Sequence, residues 1–261
     1  MGSATDEMAD FQPFDGAARR RARDRAAGLI AGRGQVLAHV ADELAARRDL
    51  LGDAPDGLEL MIGLLHPPAP HVVGLDPSPL LAARHGAKVG EEDARHFEDA
   101  SFARVTAMMT LHGVNDLPGA LLLCRRLLMP GGRFQAALPA GFSLGAVREA
   151  FLTADVAAGG GVPARLGPTV DPAEAAGLLQ RAGFVEPVVE VETLTLRYRS
   201  LADLARDVRA HGDSGWLNGR ARGLTTPRRW AAAEVAFAEA AEADGRVPVA
   251  VQILYLSGRV A

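Results

Sequence analysis

Four places in the chain carry side chains able to do chemistry. His112 follows the apolar run Val105–Leu111, and an imidazole there can take a proton from a nucleophile, although a lone loop histidine is more often a structural hydrogen-bonding group. Asp76 ends the run His71–Asp76 (HVVGLD), with Asp76-Pro77-Ser78-Pro79 also reading as turn chemistry. Glu91, Glu92 and Asp93 form an acidic group that reads as a solvated loop. Arg19, Arg20, Arg21, Arg23 and Arg25 cluster near the start, and the pattern reads as a solvated helix face, the alternative being a site for an acidic partner or RNA. No aromatic residue interleaves with them for base stacking, which argues against nucleic acid. The seven histidines show no metal-ligand spacing, and Cys124 is the only cysteine, so no metal site, internal disulfide or cysteine-based zinc site is expected.

These residues sit in 261 residues that are 48% hydrophobic and 23% charged, with a net charge of −4. That is ample for one large core, and it gives the whole molecule no pull towards nucleic acid or anionic membrane. All but one of the 28 basic residues are arginine, the exception being Lys88, a skew we attribute to coding bias. No run approaches the ~20 apolar residues that span a bilayer. The opening residues contain Asp6, Glu7, Asp10 and Asp15 and no apolar stretch, so the expected location is cytoplasmic.

The elements that must position the candidates follow from periodicity. The first fifteen residues read as loose. Val36, Val40, Leu44 and Leu51 recur at helical spacing within a helix from Gln35 to about Leu51. Leu58–Leu65, His71–Asp76, Val105–Leu111 and Arg133–Leu138 are continuous apolar runs of strand length, as in a parallel sheet buried on both faces. Between the last two lies a helix capped by Asn115 and Asp116, with Pro118 in its first turn, which stops at Met129-Pro130-Gly131-Gly132. Further helices are predicted over Ser143–Ala158, from Asp171 (N-cap, with Glu174 completing a capping box) to Gly183, over Leu201–His211, and over Pro227–Glu242 behind Thr226. Val188–Tyr198 is β-rich, with an apolar parity that flips between Val191 and Leu194, as a bulge or break would cause. Val249–Leu256 closes the chain as an interior strand. Trp216 and Trp230 flank a Gly/Arg-rich loop and suit a lid wall or core. The pattern is an α/β doubly wound sheet with a helical insertion before the last strand.

Several stretches resemble a known family. Leu111–Pro118 (LHGVNDLP), Leu127–Phe134 (LLMPGGRF), Leu178–Phe184 (LLQRAGF), Asp244–Gly258 (DGRVPVAVQILYLSG) and the opening FDGAARRRARDRAA are similar to the methyltransferase-like group that contains the mitochondrial complex I assembly factor 5 and its alphaproteobacterial relatives. The biotin-pathway malonyl-carrier-protein O-methyltransferases resemble it more distantly. The resemblance covers roughly residues 14–258. It implies the class I S-adenosylmethionine-dependent methyltransferase fold, a seven-stranded Rossmann-like sheet with the last strand inserted between its neighbours. We expect an N-terminal arm with the Arg-rich and helical segment over 1–52, and the methyltransferase-like domain over 53–261 with its insertion at about 200–245.

The resemblance also implies a cofactor, S-adenosylmethionine, and contacts to it from Glu59, Gly63, Asp76, Glu91 and Leu111. Glu59 takes the acid position of the first motif and Gly63 keeps one glycine, while Met61 and Leu65 replace the other two. The stretch after Gly63 holds Pro67, Pro68 and Pro70, which forbid the usual crossover helix of about a dozen residues. Asp76 stands where the family binds ribose, and Glu91 where it meets the adenine amino group. The family's Leu-Pro before Phe97 is Arg95-His96, and its tryptophan in LHWVNDLP is Gly113. His112 is the candidate catalytic base. Three functions follow: a methyltransferase-like protein with weakened or lost cofactor binding, acting on a small molecule or protein; a non-catalytic assembly or interaction protein with a protein client; and, from the resemblance alone, a complex I assembly factor that modifies protein arginine.

Overall fold

The computed structural model describes residues 12–159, 162–166, 169–221 and 223–261. Seven strands form one sheet in the order β3-β2-β1-β4-β5-β7-β6. They are β1 (Leu58–Ile62), β2 (Val73–Asp76), β3 (Lys88–Val89), β4 (Phe102–Met108), β5 (Leu128–Ala140), β6 (Val185–Tyr198) and β7 (Val247–Arg259). The first five are parallel, and β7 lies antiparallel between β5 and β6, for example with Tyr255 opposite Ala137 and Glu190. The apolar last strand is therefore interior, as its sequence implied.

Alternate side chains of each strand feed opposite cores. Leu60, Ile62, Phe134, Leu138, Leu254 and Leu256 pack with α4 (Leu117–Leu127) and α6 (Pro172–Arg181) on one face. Met61, Ala137, Ile253 and Tyr255 pack on the other with α2 (Gln35–Leu50), α3 (Pro79–His85) and the end of α1 (Gly16–Leu29). Capping decides several boundaries. Asp116 accepts from Gly119 N at 2.8 Å to start α4, and Asp171 accepts from Ala173 N at 2.9 Å to start α6. Helices α5 (Gly145–Ala158), α7 (Leu201–Ala210) and α8 (Pro227–Ala238) form a separate apolar cluster around Phe237, Leu204 and Val249, beside the carboxyl edge of β5.

Three expectations are corrected. First, the segment before α1 is held: Phe14 bridges to Leu217 and packs edge-on to Trp216, and Asp15 N donates to Trp216 O at 2.8 Å. Residues 1–11 of that expectation lie outside the described residues. Second, Asn115 does not cap α4. It clamps the backbone of Phe14, its Oδ1 accepting from Phe14 N at 3.0 Å and its Nδ2 donating to Phe14 O at 3.1 Å. Third, β6 has no bulge between Val191 and Leu194, since its pairing with β7 runs unbroken from Val188 to Tyr198 and shifts only between Val185 and Val188. The parity flip has another cause. Val189 packs with α6 on one face, whereas Leu194 packs with the α2 side on the other, so a straight edge strand changes which face it buries.

Candidate functional site

The carboxyl ends of β1 and β4 mark the point where strand order reverses, the place where open α/β sheets bind ligands. Gly63 leaves β1 there with φ +89°, its N–H donating to Leu75 O at 3.0 Å, and a Cβ on it would lie 2.5 Å from Met108 O. Only glycine fits that approach. No helix intervenes between Ile62 and Val73, as the prolines required, and Leu64 and Leu65 turn inward instead.

Asp76 ends β2 fully buried, and every acceptor position on its carboxylate is taken. Leu64 N donates to Oδ2 at 2.7 Å and Ser78 N to Oδ1 at 2.8 Å. Arg23 supplies the rest, with Nη2 2.6 Å from Oδ2 and Nε 3.1 Å from Oδ1. A second pair lies beside it. Arg19 Nη1 and Nη2 grip Glu92 at 2.8 and 2.7 Å, and Nη2 also donates to Thr110 O and Oγ1 at 2.8 and 2.9 Å. Thr110 Oγ1 in turn donates to Glu92. Arg19 and Arg23 are 4% and 2% exposed, and Glu92 3%. The solvated readings of the arginine cluster and of the acidic loop are therefore corrected at these positions. Arg19, Arg23 and Glu92 are the residues sequence reasoning missed. The i, i+4 spacing of Arg19 and Arg23 on α1, in step with Ala18, Ala22 and Ala26, was the available signal for the two arginines.

Two charges in so little water hold one another ionised. The Arg19 guanidinium and the Thr110 hydroxyl overcome burial and bring the Glu92 carboxyl down to about 2, and Arg19 itself is raised by Glu92. The other predicted residues are distributed. Glu91 stands at the rim on Arg20, with its backbone oxygen against His96 Nε2 at 2.9 Å. Leu111 is buried in the main core within a single 3₁₀ turn (Leu111–Gly113). Glu59 is set back from this group, three residues before the end of β1, where Arg48 binds it at 2.6 Å through both oxygens.

His112 lies across the cleft. Its Nε2 is 2.9 Å from Asp213 Oδ1, so that nitrogen carries the proton, and its buried Nδ1 has no partner among the described residues. His211 repeats the pattern, with Nδ1 2.8 Å from Asp207 O and a buried, unpartnered Nε2. The His112 ring holds the carboxyl of half-buried Asp213 below the usual range, against the desolvation that would raise it. Two adjoining cavities, about 250 and 100 Å³, share Leu144, Val208 and Asp213. Trp230 walls the larger and His211, Tyr198 and Met109 the smaller, while Trp216 packs against Phe14 and His112. Asp213 lines both cavities and its carboxyl is held low, so this cleft offers an anionic acceptor and suits a hydrogen-bond donor. No cluster of three potential metal ligands occurs among the described residues.

A sequence profile described as a methyltransferase domain matches residues 57–136, the span from β1 into β5 that contains Gly63, Asp76 and Glu92. Residues 57–136 thus carry a match to a methyltransferase domain, and the sheet has the class I methyltransferase fold. It is 29% identical over 170 residues to the mitochondrial arginine-hydroxylase NDUFAF5 of Danio rerio, covering 65% of this chain and 53% of that one. It is 32% identical over 194 residues to the malonyl-[acyl-carrier protein] O-methyltransferase of Halorhodospira halophila (strain DSM 244 / SL1), covering 71% and 64%. The chain thus spans between about half and two thirds of those relatives' lengths. The fold also matches the YcgJ protein of Bacillus subtilis, with TM-score 0.53 at 13% identity over 84% of this chain and 98% of that one.

The family's cofactor is S-adenosylmethionine. The fold, Gly63 and the position of Asp76 fit it. The side chains around Asp76 do not, because Arg23 occupies the acceptor positions that ribose hydroxyls need and the Arg19–Glu92 pair fills the neighbouring space.

Proposed function

We propose that this chain is an S-adenosylmethionine-dependent methyltransferase-like protein acting on a small molecule or protein side chain delivered to the cleft beneath α5, α7 and α8. The observation that carries this reading is Asp76, a buried carboxylate at the carboxyl end of β2, beside the strand-order switch, with backbone donors from Leu64 and Ser78 already fixing it. Methyl transfer is an in-line displacement that needs alignment more than an acid–base pair, so a His112 already paired with Asp213 does not count against it.

Between the activities named for the two relatives, the anionic acceptor in the cleft favours a donor-bearing group such as protein arginine over a malonyl ester, and that preference is analogy joined to chemistry. The second reading is a non-catalytic assembly or interaction protein on the same fold, favoured by the two buried ion pairs that stand in the cofactor position. We retain a cytoplasmic location, on the lone buried Cys124 and its missing disulfide partner, and no helix among the described residues is long and apolar enough to cross a membrane.

Calorimetric titration with S-adenosylmethionine and S-adenosylhomocysteine tests the choice. Micromolar affinity that disappears in Asp76→Asn supports the transferase reading. No heat at millimolar ligand, in the wild type and in variants with the arginine pairs removed, leaves the interaction reading, to be followed by pull-down of a protein client.

A further inference from the structure

Helix α1 sets two buried arginines against the carboxylates of Asp76 and Glu92. A ribose diol would offer Asp76 two O–H donors at the bite of one carboxylate. Arg23 offers two N–H donors at the same bite, 2.6 and 3.1 Å from Oδ2 and Oδ1. Arg19 does the equivalent for Glu92 in the loop where the resemblance places adenine. Room for Arg19 depends on Gly113, since a Cβ at that position would lie 2.3 Å from Arg19 Nε.

The helix is also weakly anchored by apolar surface. Its buried apolar residues are Ala18, Ala22, Ala26 and Ala27, and its remaining buried residues are the two arginines. When such a helix lifts, guanidinium and carboxylate groups all regain water. The desolvation cost of the closed pairs is then returned, which offsets much of the lost attraction.

We infer that α1 and S-adenosylmethionine are mutually exclusive ligands of one site, with Arg23 standing in for the ribose diol and Arg19–Glu92 for the adenine, so that the cofactor enters only when α1 leaves. This rests on the methyltransferase reading above. Because closure is intramolecular, the helix is at high effective concentration and suppresses the apparent affinity of the free ligand.

The test uses the full chain and S-adenosylhomocysteine as probe. Arg23→Met frees two acceptor positions on Asp76 while keeping its backbone donors. Arg19→Ala/Glu92→Ala removes both members of the second pair and leaves no unpaired buried charge. The triple variant is expected to bind at least tenfold more tightly than the wild type. Hydrogen exchange at the α1 amides from Ala22 to Ala27 is expected to quicken when millimolar ligand is added to the wild type. If the triple variant unfolds, Arg23→Met alone and the wild-type exchange experiment still decide. Ligand binding that leaves α1 protection unchanged or increases it overturns the inference while the methyltransferase reading stands. Failure of every folded variant to bind at millimolar ligand overturns both.

Discussion

Arg19 and Glu92 are each buried to within a few per cent, so neither can lose the other without leaving a desolvated charge. Arg19→Met is expected to cost about 3–5 kcal/mol, and Arg19→Met combined with Glu92→Leu much less, because an apolar pair replaces an ionic one. Urea unfolding of the two singles and the double measures this, and additive costs would show that the pair is not coupled. The pH dependence has a definite sign. The Glu92 carboxyl is lowered from 4.5 to about 2 in the folded chain, so its contribution is complete above about pH 4.5 and is lost as pH falls towards 2. Glu92→Gln should flatten that acid limb while lowering stability at neutral pH, and an unchanged acid limb would refute the assignment. Asp76 was legible at this scale because it ends an apolar run at a family position. The partners that fill it were not, because an arginine cluster on one short helix carries no mark of which side faces in except the alanines at 18, 22 and 26.

At the scale of elements, the sequence spoke most clearly where capping and apolar runs agreed. Asp116, Asp171 and Thr226 each accept from a backbone N–H at the start of a helix, and β7 is interior as its two-faced apolar pattern required. The prolines after Gly63 likewise excluded a helix between β1 and β2. Edge strand β6 misled, because a change of parity was read as a bulge when it records a change of covering layer. Its register supplies a test. Val188 and Val191 are 47% and 46% exposed, whereas Val189 packs on the main core beside α6. Val191→Lys should alter stability by no more than about 0.5 kcal/mol, as surface substitutions usually do. Val189→Lys should be clearly destabilising, since it carries a charge towards apolar surface. Equal effects in thermal unfolding would contradict the placing of Val189 under α6 with Val191, on the same face of an unbroken strand, beyond its cover.

Across the whole molecule, the two closures of the cleft are mechanically joined. The strand-like segment before α1 is tied to the loop after α7 by Asp15 N to Trp216 O at 2.8 Å, Asn218 N to Pro13 O at 2.8 Å and Arg220 Nη2 to Asp15 Oδ2 at 2.9 Å. That loop also carries Asp213, the partner of His112, and Gly212, which lies against Arg23. On the inference drawn above, a helix α1 that lifts would pull through these bonds on the wall of the cleft that Asp213 lines, and cofactor entry and access to that cleft would be one motion. Phe14 is the apolar pin of this junction, 5% exposed with its ring 4.9 Å from that of Trp216. Removing a buried phenylalanine costs about 3–5 kcal/mol, but here the loss should fall on the junction and not on the sheet. Phe14→Ala should speed hydrogen exchange together in α1 and in residues 212–218, with β4 and β5 unchanged. If α1 alone loosens, the helix and the cleft wall move independently, and the nucleoside and substrate sites are gated separately.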